Sequence, residues 1–192
     1  MLIKLLSAPD KKHLVDLAKL LALSDKPLLW DGKTSAQLTS DTDLKELTIE
    51  EGEHERELIA DLEHAAGISS SVSPTLRMFL ATCEIGERLV EVTKTFPITQ
   101  AERPESRVQA AKTVLKELLK DKKSEQPSAP KVMLFELLLV ALRDGNISSI
   151  EWALLKEFQQ HHKLEDFIFD DLLERAEVLN KEVNKTISIV LE

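Results

Sequence analysis

The chain has 192 residues, of which 43% are apolar and 31% are charged, and its formal net charge is −9. That length fits one domain with a proper core, and the negative charge excludes general nucleic-acid binding, which depends on clustered positive charge. The longest apolar run, MLFELLLVAL, is interrupted by Glu136 and is much shorter than the roughly 20 residues of a membrane span. We therefore expect a soluble protein.

The cysteine content and the lack of catalytic motifs narrow the function classes. Cys83 is the single cysteine, so an internal disulfide is excluded and a reducing, cytoplasmic setting is expected. The sequence contains no glycine-rich phosphate loop, dinucleotide fingerprint or nucleophile elbow. An enzyme is therefore the least favoured class, and we expect no cofactor other than a weakly bound divalent cation.

Helical signals run along most of the chain. Five glycines, no tyrosine and few β-branched runs favour helices over sheets. The apolar spacing and the stop signals predict about seven helices, near residues 10–25, 48–66, 74–95, 104–120, 131–144, 148–161 and from 165 into the 180s. The fifth is apolar nearly all round, which predicts a central position. We predict an all-α helical bundle.

The segments between and beyond these helices are less regular. We predict a single domain over residues 1–192, with a long loop at 26–47 and a flexible linker at 121–130. Two short apolar segments, LIKLL near the start and TISIVL near the end, leave open one short pair of strands formed by the two termini.

Two parts of the chain look alike, at residues 10–66 and 131–182. Each part has an apolar helix that ends in aspartate, then a connection, then a helix that begins with a capping box. The corresponding residues are Asp25, Thr48 and Glu51 in the first part and Asp144, Ser148 and Glu151 in the second. This pattern predicts a weak internal repeat of a helix–loop–helix unit.

Asp144 lies at the end of a predicted helix, and its neighbours allow two explanations of an aspartate at that position. A carboxylate in the last turn of a helix meets the negative end of the helix dipole, at a cost of roughly 0.3–1 kcal/mol. A nearby base or free amide would offset that cost, and Glu151 would then be only a helix cap. Alternatively, Asp144 and Glu151 share a divalent cation, with Asp25 and Glu51 as weaker counterparts. An EF-hand is excluded, because Ser149 and Leu155 occupy its glycine and glutamate positions.

The block VALRDGNISSIEWALLKEFQQHHKLEDFIFDDLLERAE, residues 140–177, resembles the TerB-like family, which is named for bacterial tellurite resistance. The family pattern Asp-Gly-x-Ile-x-x-x-Glu is matched by Asp144, Gly145, Ile147 and Glu151. The resemblance implies an all-helical fold and a divalent-cation role for the acidic residues. Ser148 stands where many relatives carry a further acid, and the first copy lacks the Asp-Gly pair.

These observations give a leading hypothesis and an alternative. The leading hypothesis is a non-catalytic interaction protein that binds protein partners in a bacterial stress-response or envelope-associated system. The alternative is a cation-binding or sensing module that uses Asp144 and Glu151. A basic stripe of Lys112, Lys116 and Lys120 also offers a docking face for an acidic protein, or for peripheral association with a membrane surface.

Overall fold

The computed structural model describes residues 2–50, 52–68, 74–143 and 145–191. Within these residues helices make up 69% of the structure, and the sheet has two strands. The helices are α1 (Ala8–Ser24), α2 (Glu53–Ala66), α3 (Pro74–Thr93), α4 (Ile98–Ala101), α5 (Pro104–Leu119), α6 (Ala129–Ala141), α7 (Ser149–His161) and α8 (Asp166–Leu191). The predicted fold class, an all-α helical bundle, is confirmed.

The core is built around α1 and α6, which pack against each other. One apolar cluster joins side chains from α1, α2, α3, α5, α6, α7 and α8. Leu138 on α6 and Leu14 on α1 are both fully buried, which confirms the central position of the fifth predicted helix. The equal burial of α1 was harder to predict, because His13 and Lys19 interrupt its apolar pattern although both are buried.

The two strands lie inside and next to the segment that the sequence predicted as a long loop. β1 (Leu28–Trp30) pairs antiparallel with β2 (Leu47–Ile49), so that Trp30 faces Leu47. Trp30 is almost fully buried in a second, smaller apolar cluster together with Leu28, Leu47 and Ala101. Burial of this tryptophan therefore holds both ends of the loop against the bundle.

The predicted strand pair from the two termini is wrong in its position. Residues 186–191 belong to α8. Their β-branched and hydroxyl side chains fit the helix, because Thr186 donates to the Glu182 carbonyl at 2.8 Å and Ser188 donates to the Asn184 carbonyl at 3.1 Å. Such bonds satisfy the hydroxyls within the helix.

The N-terminal segment is held by a buried carboxylate and not by a strand. Leu2–Leu5 forms a 3₁₀ helix, and Glu136 in the middle of α6 accepts hydrogen bonds from the amides of Leu2 and of Ile3, the latter at 3.1 Å. Glu136 is only 2% exposed. The glutamate that interrupts the longest apolar run therefore anchors the beginning of the chain to the central helix.

The predicted beginning of the second helix is also wrong. Thr48 lies in β2 opposite Leu29, and α2 begins at Glu53 after Gly52. The strand pairing takes the backbone of Thr48, which therefore cannot cap a helix. Its supposed capping partner, Glu51, lies outside the described residues. The predicted end at residue 66 is confirmed, since Gly67 follows α2 in the left-handed conformation with φ of 71°.

The second half of the predicted repeat is closer to the structure. α6 ends at Ala141, three residues before the predicted end at Asp144, and Asp144 lies outside the described residues. α7 begins behind Ser148 as predicted. The segment between α5 and α6 coincides closely with the predicted linker. The single-domain assignment and the internal repeat stay predictions.

Candidate functional site

The first candidate site is a carboxylate corner, formed by Asp25 and Glu151, where the end of α1 approaches the beginning of α7. Asp25 directly follows α1 and is its C-cap. Glu151 lies in the first turn of α7. Burial is the main cause of a raised pKa of Glu151; the charge of Asp25 adds a smaller rise, and the charge of Lys26 opposes it. Two of the four predicted ligands are therefore within electrostatic reach of each other.

Glu151 caps α7 from a buried position. Its Oε2 accepts from the Ser148 amide at 2.8 Å, and the Ser148 hydroxyl accepts from the Glu151 amide at 3.2 Å. These two bonds confirm the predicted capping box. Burial raises the pKa of Glu151 to about 7, although hydrogen bonding of its carboxylate to the backbone and to the side chain of Ser148 opposes that change. The carboxyl group is therefore divided between its protonated and ionised forms near neutral pH.

A buried arginine completes this corner. Arg107 on α5 donates to the Ser24 carbonyl from Nη2 at 2.6 Å and from Nε at 3.2 Å. It therefore satisfies the carbonyls at the end of α1, where a cation is favoured by the helix dipole. Burial lowers the pKa of Arg107, and the charge of Asp25 raises it. The sequence carried a sign of this burial. Arg107 precedes the apolar positions 110, 111 and 114 by three, four and seven residues, which is the spacing of one helix face.

The carboxylate corner supplies few described ligands for a metal ion. Asp144 and Glu51, the other two predicted ligands, lie outside the described residues. Within the described ranges, no group of three or more His, Cys, Asp or Glu side chains could hold a metal ion. Arg107 and Lys26 also supply positive charge to the corner. The Glu151 carboxyl group can accept a proton near neutral pH, and Asp25 and Glu151 together could contribute two ligands to a cation.

A second polar cluster, the histidine cluster, is formed by His13, His161 and His162, none of which was among the predicted site residues. His13 on α1 is 6% exposed. The Nε2 atoms of His13 and His162 are buried, and neither has a hydrogen-bond partner in the described structure. Burial lowers the pKa of each to about 4. Both imidazoles are therefore neutral at pH 7.

The predicted basic stripe on α5 is partly neutralised within the molecule. Lys112 Nζ lies 3.1 Å from Glu157 Oε2, and Lys116 Nζ lies 3.5 Å from Glu157 Oε1. Lys120 is the C-cap of α5. Two of the three lysines thus bind α7, which reduces the charge that this face offers to an acidic protein or membrane.

The beginning of α8 is firmly attached to the bundle. Phe169 and Ala176 are fully buried against the core. The Phe169 ring meets the Trp152 ring edge-on with centroids 5.4 Å apart, and Lys156 Nζ lies 3.7 Å from the Phe169 centroid. At the far end of this contact, Asn180 Nδ2 donates to the Leu142 carbonyl at 2.8 Å, just past the end of α6.

Beyond Asn180, α8 leaves the bundle. Every residue of the α8 tail, defined as residues 181–191, is exposed. Val183, Ile187 and Val190 are 47%, 49% and 75% exposed. They continue the spacing of Ala176 and Asn180 in steps of three and four residues, which keeps them on the helix face that packs on α6. The tail is therefore an amphipathic helix whose apolar face is uncovered. This helical periodicity was missed in the sequence, because residues 186–191 were predicted to form a strand.

Comparison of the chain with protein-family models, with curated proteins and with solved structures gives no match. The resemblance to the TerB-like family stays a prediction. In the part of the chain that the structure describes, no helix is both long enough and apolar enough to cross a membrane.

Proposed function

We propose that this chain is a non-catalytic interaction protein, which binds a protein partner through the apolar face of the α8 tail. The observation that carries the proposal is the uncovered row of Val183, Ile187 and Val190 on a helix that projects from the bundle. A free helical segment of this length is marginally stable in water, and an exposed apolar stripe favours association. A partner that covers the stripe stabilises the tail.

The charge of α8 favours a protein over a nucleic acid or an anionic membrane. The helix carries six acidic and three basic residues, a net charge of −3. Five of the six acidic residues precede the tail, which itself carries Lys181, Glu182 and Lys185. The tail therefore lacks the clustered positive charge that binding to nucleic acids or anionic lipids depends on. The apolar stripe needs a complementary apolar surface, which a helix or groove of a protein provides.

The proposed setting is a bacterial stress-response or envelope-associated system. Its support is the resemblance of residues 140–177 to the TerB-like family, through Asp144, Gly145, Ile147 and Glu151.

Affinity capture from native host cells tests the partner-binding role. The wild type is compared with Ile187→Lys, which places a charge in the apolar stripe, and with Lys185→Glu, which changes the charge on the opposite side of the tail. We expect a protein that the wild type and Lys185→Glu both retain and that Ile187→Lys loses. If the wild type and Ile187→Lys retain the same proteins, the proposed role of the tail is rejected.

A second candidate function is binding or sensing of a divalent cation at the carboxylate corner. Its support is that Asp25 lies within electrostatic reach of Glu151, beside the Asp-Gly-x-Ile-x-x-x-Glu pattern that contains Asp144. An ion that binds only the folded protein raises stability by mass action. Calcium, magnesium or zinc should then raise the Tm of the wild type, and raise it less in Asp144→Asn and Glu151→Gln. Equal Tm changes in all three proteins, with and without chelator, reject this function.

A further inference from the structure

We propose that the partner of the α8 tail is a second copy of this chain. The two tails pack antiparallel, so that Val183 of each copy contacts Ile187 of the other. This inference rests on the proposed partner-binding role of the tail and specifies the partner.

The apolar pattern of the tail is self-complementary under a twofold axis. In an antiparallel pair, facing residue numbers have a constant sum, so one contact determines the others. The register that pairs Val183 with Ile187 also places Leu179 opposite Leu191 and Asn180 opposite Val190. Leu179 and Leu191 are 44% and 80% exposed, so they are available for this contact. Each copy thus supplies apolar side chains opposite Val183, Ile187 and Leu191 of the other, and the polar Asn180 opposite Val190.

The charged residues of the tail lie on the side of the helix away from this contact. Lys181, Glu182 and Lys185 are its charged residues, and at 100° per residue they lie about 120–160° around the helix from Ile187. Lys185 Nζ bonds Glu182 Oε1 at 2.7 Å on that opposite side. No like charges are therefore buried together, and the antiparallel arrangement also places opposite ends of the helix dipoles side by side.

The length of the tail matches the register. Asn180 bonds Leu142 where α8 leaves the bundle. In the proposed register Leu191 of the second copy lies beside Leu179, at this same point. The overlap covers residues 179–191, about 20 Å at 1.5 Å per residue. The pairing therefore uses the whole projecting tail, and the helix ends meet the bundles without passing them.

The contact is short, so the dimer should be weak. Two helices that overlap for about 20 Å bury less than the roughly 1,200 Å² of a standard stable interface. We expect a reversible dimer with a dissociation constant in the micromolar range, which forms and separates as the concentration of the protein changes.

Sedimentation velocity over low to high micromolar concentration tests the proposal on the full chain. The wild type should change from monomer to dimer, while Val183→Glu alone and Ile187→Lys alone should each stay monomeric. An equal mixture of these two variants should dimerise again. In the antiparallel register, the carboxylate introduced at position 183 meets the ammonium introduced at position 187, and the other pair stays apolar. Parallel tails would place neither charge opposite the other, so the mixture would remain monomeric.

The controls separate this inference from the proposed function. Lys185→Glu should dimerise like the wild type, and far-UV circular dichroism should show that all variants are folded. A wild type that stays monomeric, or a mixture that does not recover, overturns the second-copy proposal. If Ile187-dependent capture of another protein persists in that case, the partner-binding role remains supported. Ile187-dependent flotation of the monomer with zwitterionic lipid vesicles would assign the tail to a membrane and overturn the proposal.

Discussion

Glu151 combines a capping role with an unfavourable burial. Its carboxylate accepts from the Ser148 amide, yet burial raises its pKa from an ordinary 4.5 to about 7. Between about pH 4.5 and pH 7, Glu151 therefore holds a proton more tightly in the folded protein than in the unfolded chain. Its contribution to stability is therefore complete below about pH 4.5 and is lost as the pH rises through 7.

Glu151→Gln should reverse this loss. Glutamine can still accept from the Ser148 amide but carries no charge, so the variant should gain stability relative to the wild type between pH 4.5 and 7. The expected gain above pH 7 is about 1–3 kcal/mol, since one pKa unit corresponds to about 1.36 kcal/mol. Urea unfolding of both proteins at pH 5 and pH 8 measures the change. A difference that is the same at both pH values would contradict the burial argument.

His13 gives the opposite pH dependence. Burial lowers its pKa to about 4, and the charges of Lys122 and His161 act in the same direction while Asp10 opposes them. As the pH falls from 6.5 to 4, the unfolded chain takes up a proton that the folded protein does not, so stability falls. Burial and the charges of His161 and His13 lower the pKa of His162 as well. His162 therefore adds a further loss of stability as the pH falls.

His13→Leu should make the protein less sensitive to acid. The expected reduction in the loss between pH 6.5 and 4 is about 2–3 kcal/mol, from about 1.36 kcal/mol per pKa unit. At pH 7 the variant should be close to wild type, because it removes a buried nitrogen that has no hydrogen-bond partner among the described residues. Thermal melts across this pH range measure the effect, and parallel curves for the two proteins would refute it.

Among the elements, α6 makes the clearest contribution to stability. Leu138 is fully buried at the contact with the rest of the core. Leu138→Ala should lower the free energy of unfolding by about 2–5 kcal/mol, because it removes buried methyl groups and leaves a cavity. Leu44→Ala, at a side chain that is 45% exposed, is a control expected to change stability by less than about 0.5 kcal/mol. Similar effects of the two changes in denaturant unfolding would exclude a central role for α6.

The helix boundaries show which local signals were sufficient. Ser148 and Glu151 form a capping box within four residues of chain, and the sequence predicted it. The same signal failed at Thr48, because its backbone pairs with Leu29 in β1, nineteen residues earlier. A helix cap depends on residues only three positions away in the chain. A strand depends on a partner strand, and the sequence does not reveal where in the chain that partner lies.

The site was less predictable than the fold for a related reason. Apolar periodicity identifies the face of a helix but not the helix that covers it. Asp25 and Glu151 were both named from the sequence, yet their proximity follows from the packing of α1 against α7. Arg107 and His13 were missed, because their roles depend on burial against the end of α1 and beside α7.

For the molecule as a whole, stability should be unevenly distributed. α1 and α6 lie in the core, whereas residues 181–191 make no contact that shields them from solvent. At low micromolar concentration, amide hydrogen exchange should therefore be fastest in the α8 tail and slowest in α1 and α6. Mass spectrometry of exchanged peptides measures this order. Protection of the dilute tail equal to that of α6 would show that the tail is covered within one molecule.

The packing of α1 has a consequence for synthesis on the ribosome. α1 contacts α2 and α3, but its contacts with α5, α6 and α7 wait for residues far downstream. At about 5–20 residues per second, translation from the end of α1 to the end of α6 takes roughly 6–25 s. During that interval one of the two central helices has only part of its apolar surface covered. We therefore expect the nascent chain to expose apolar surface on α1, of the kind that chaperones bind, until α6 emerges from the exit tunnel.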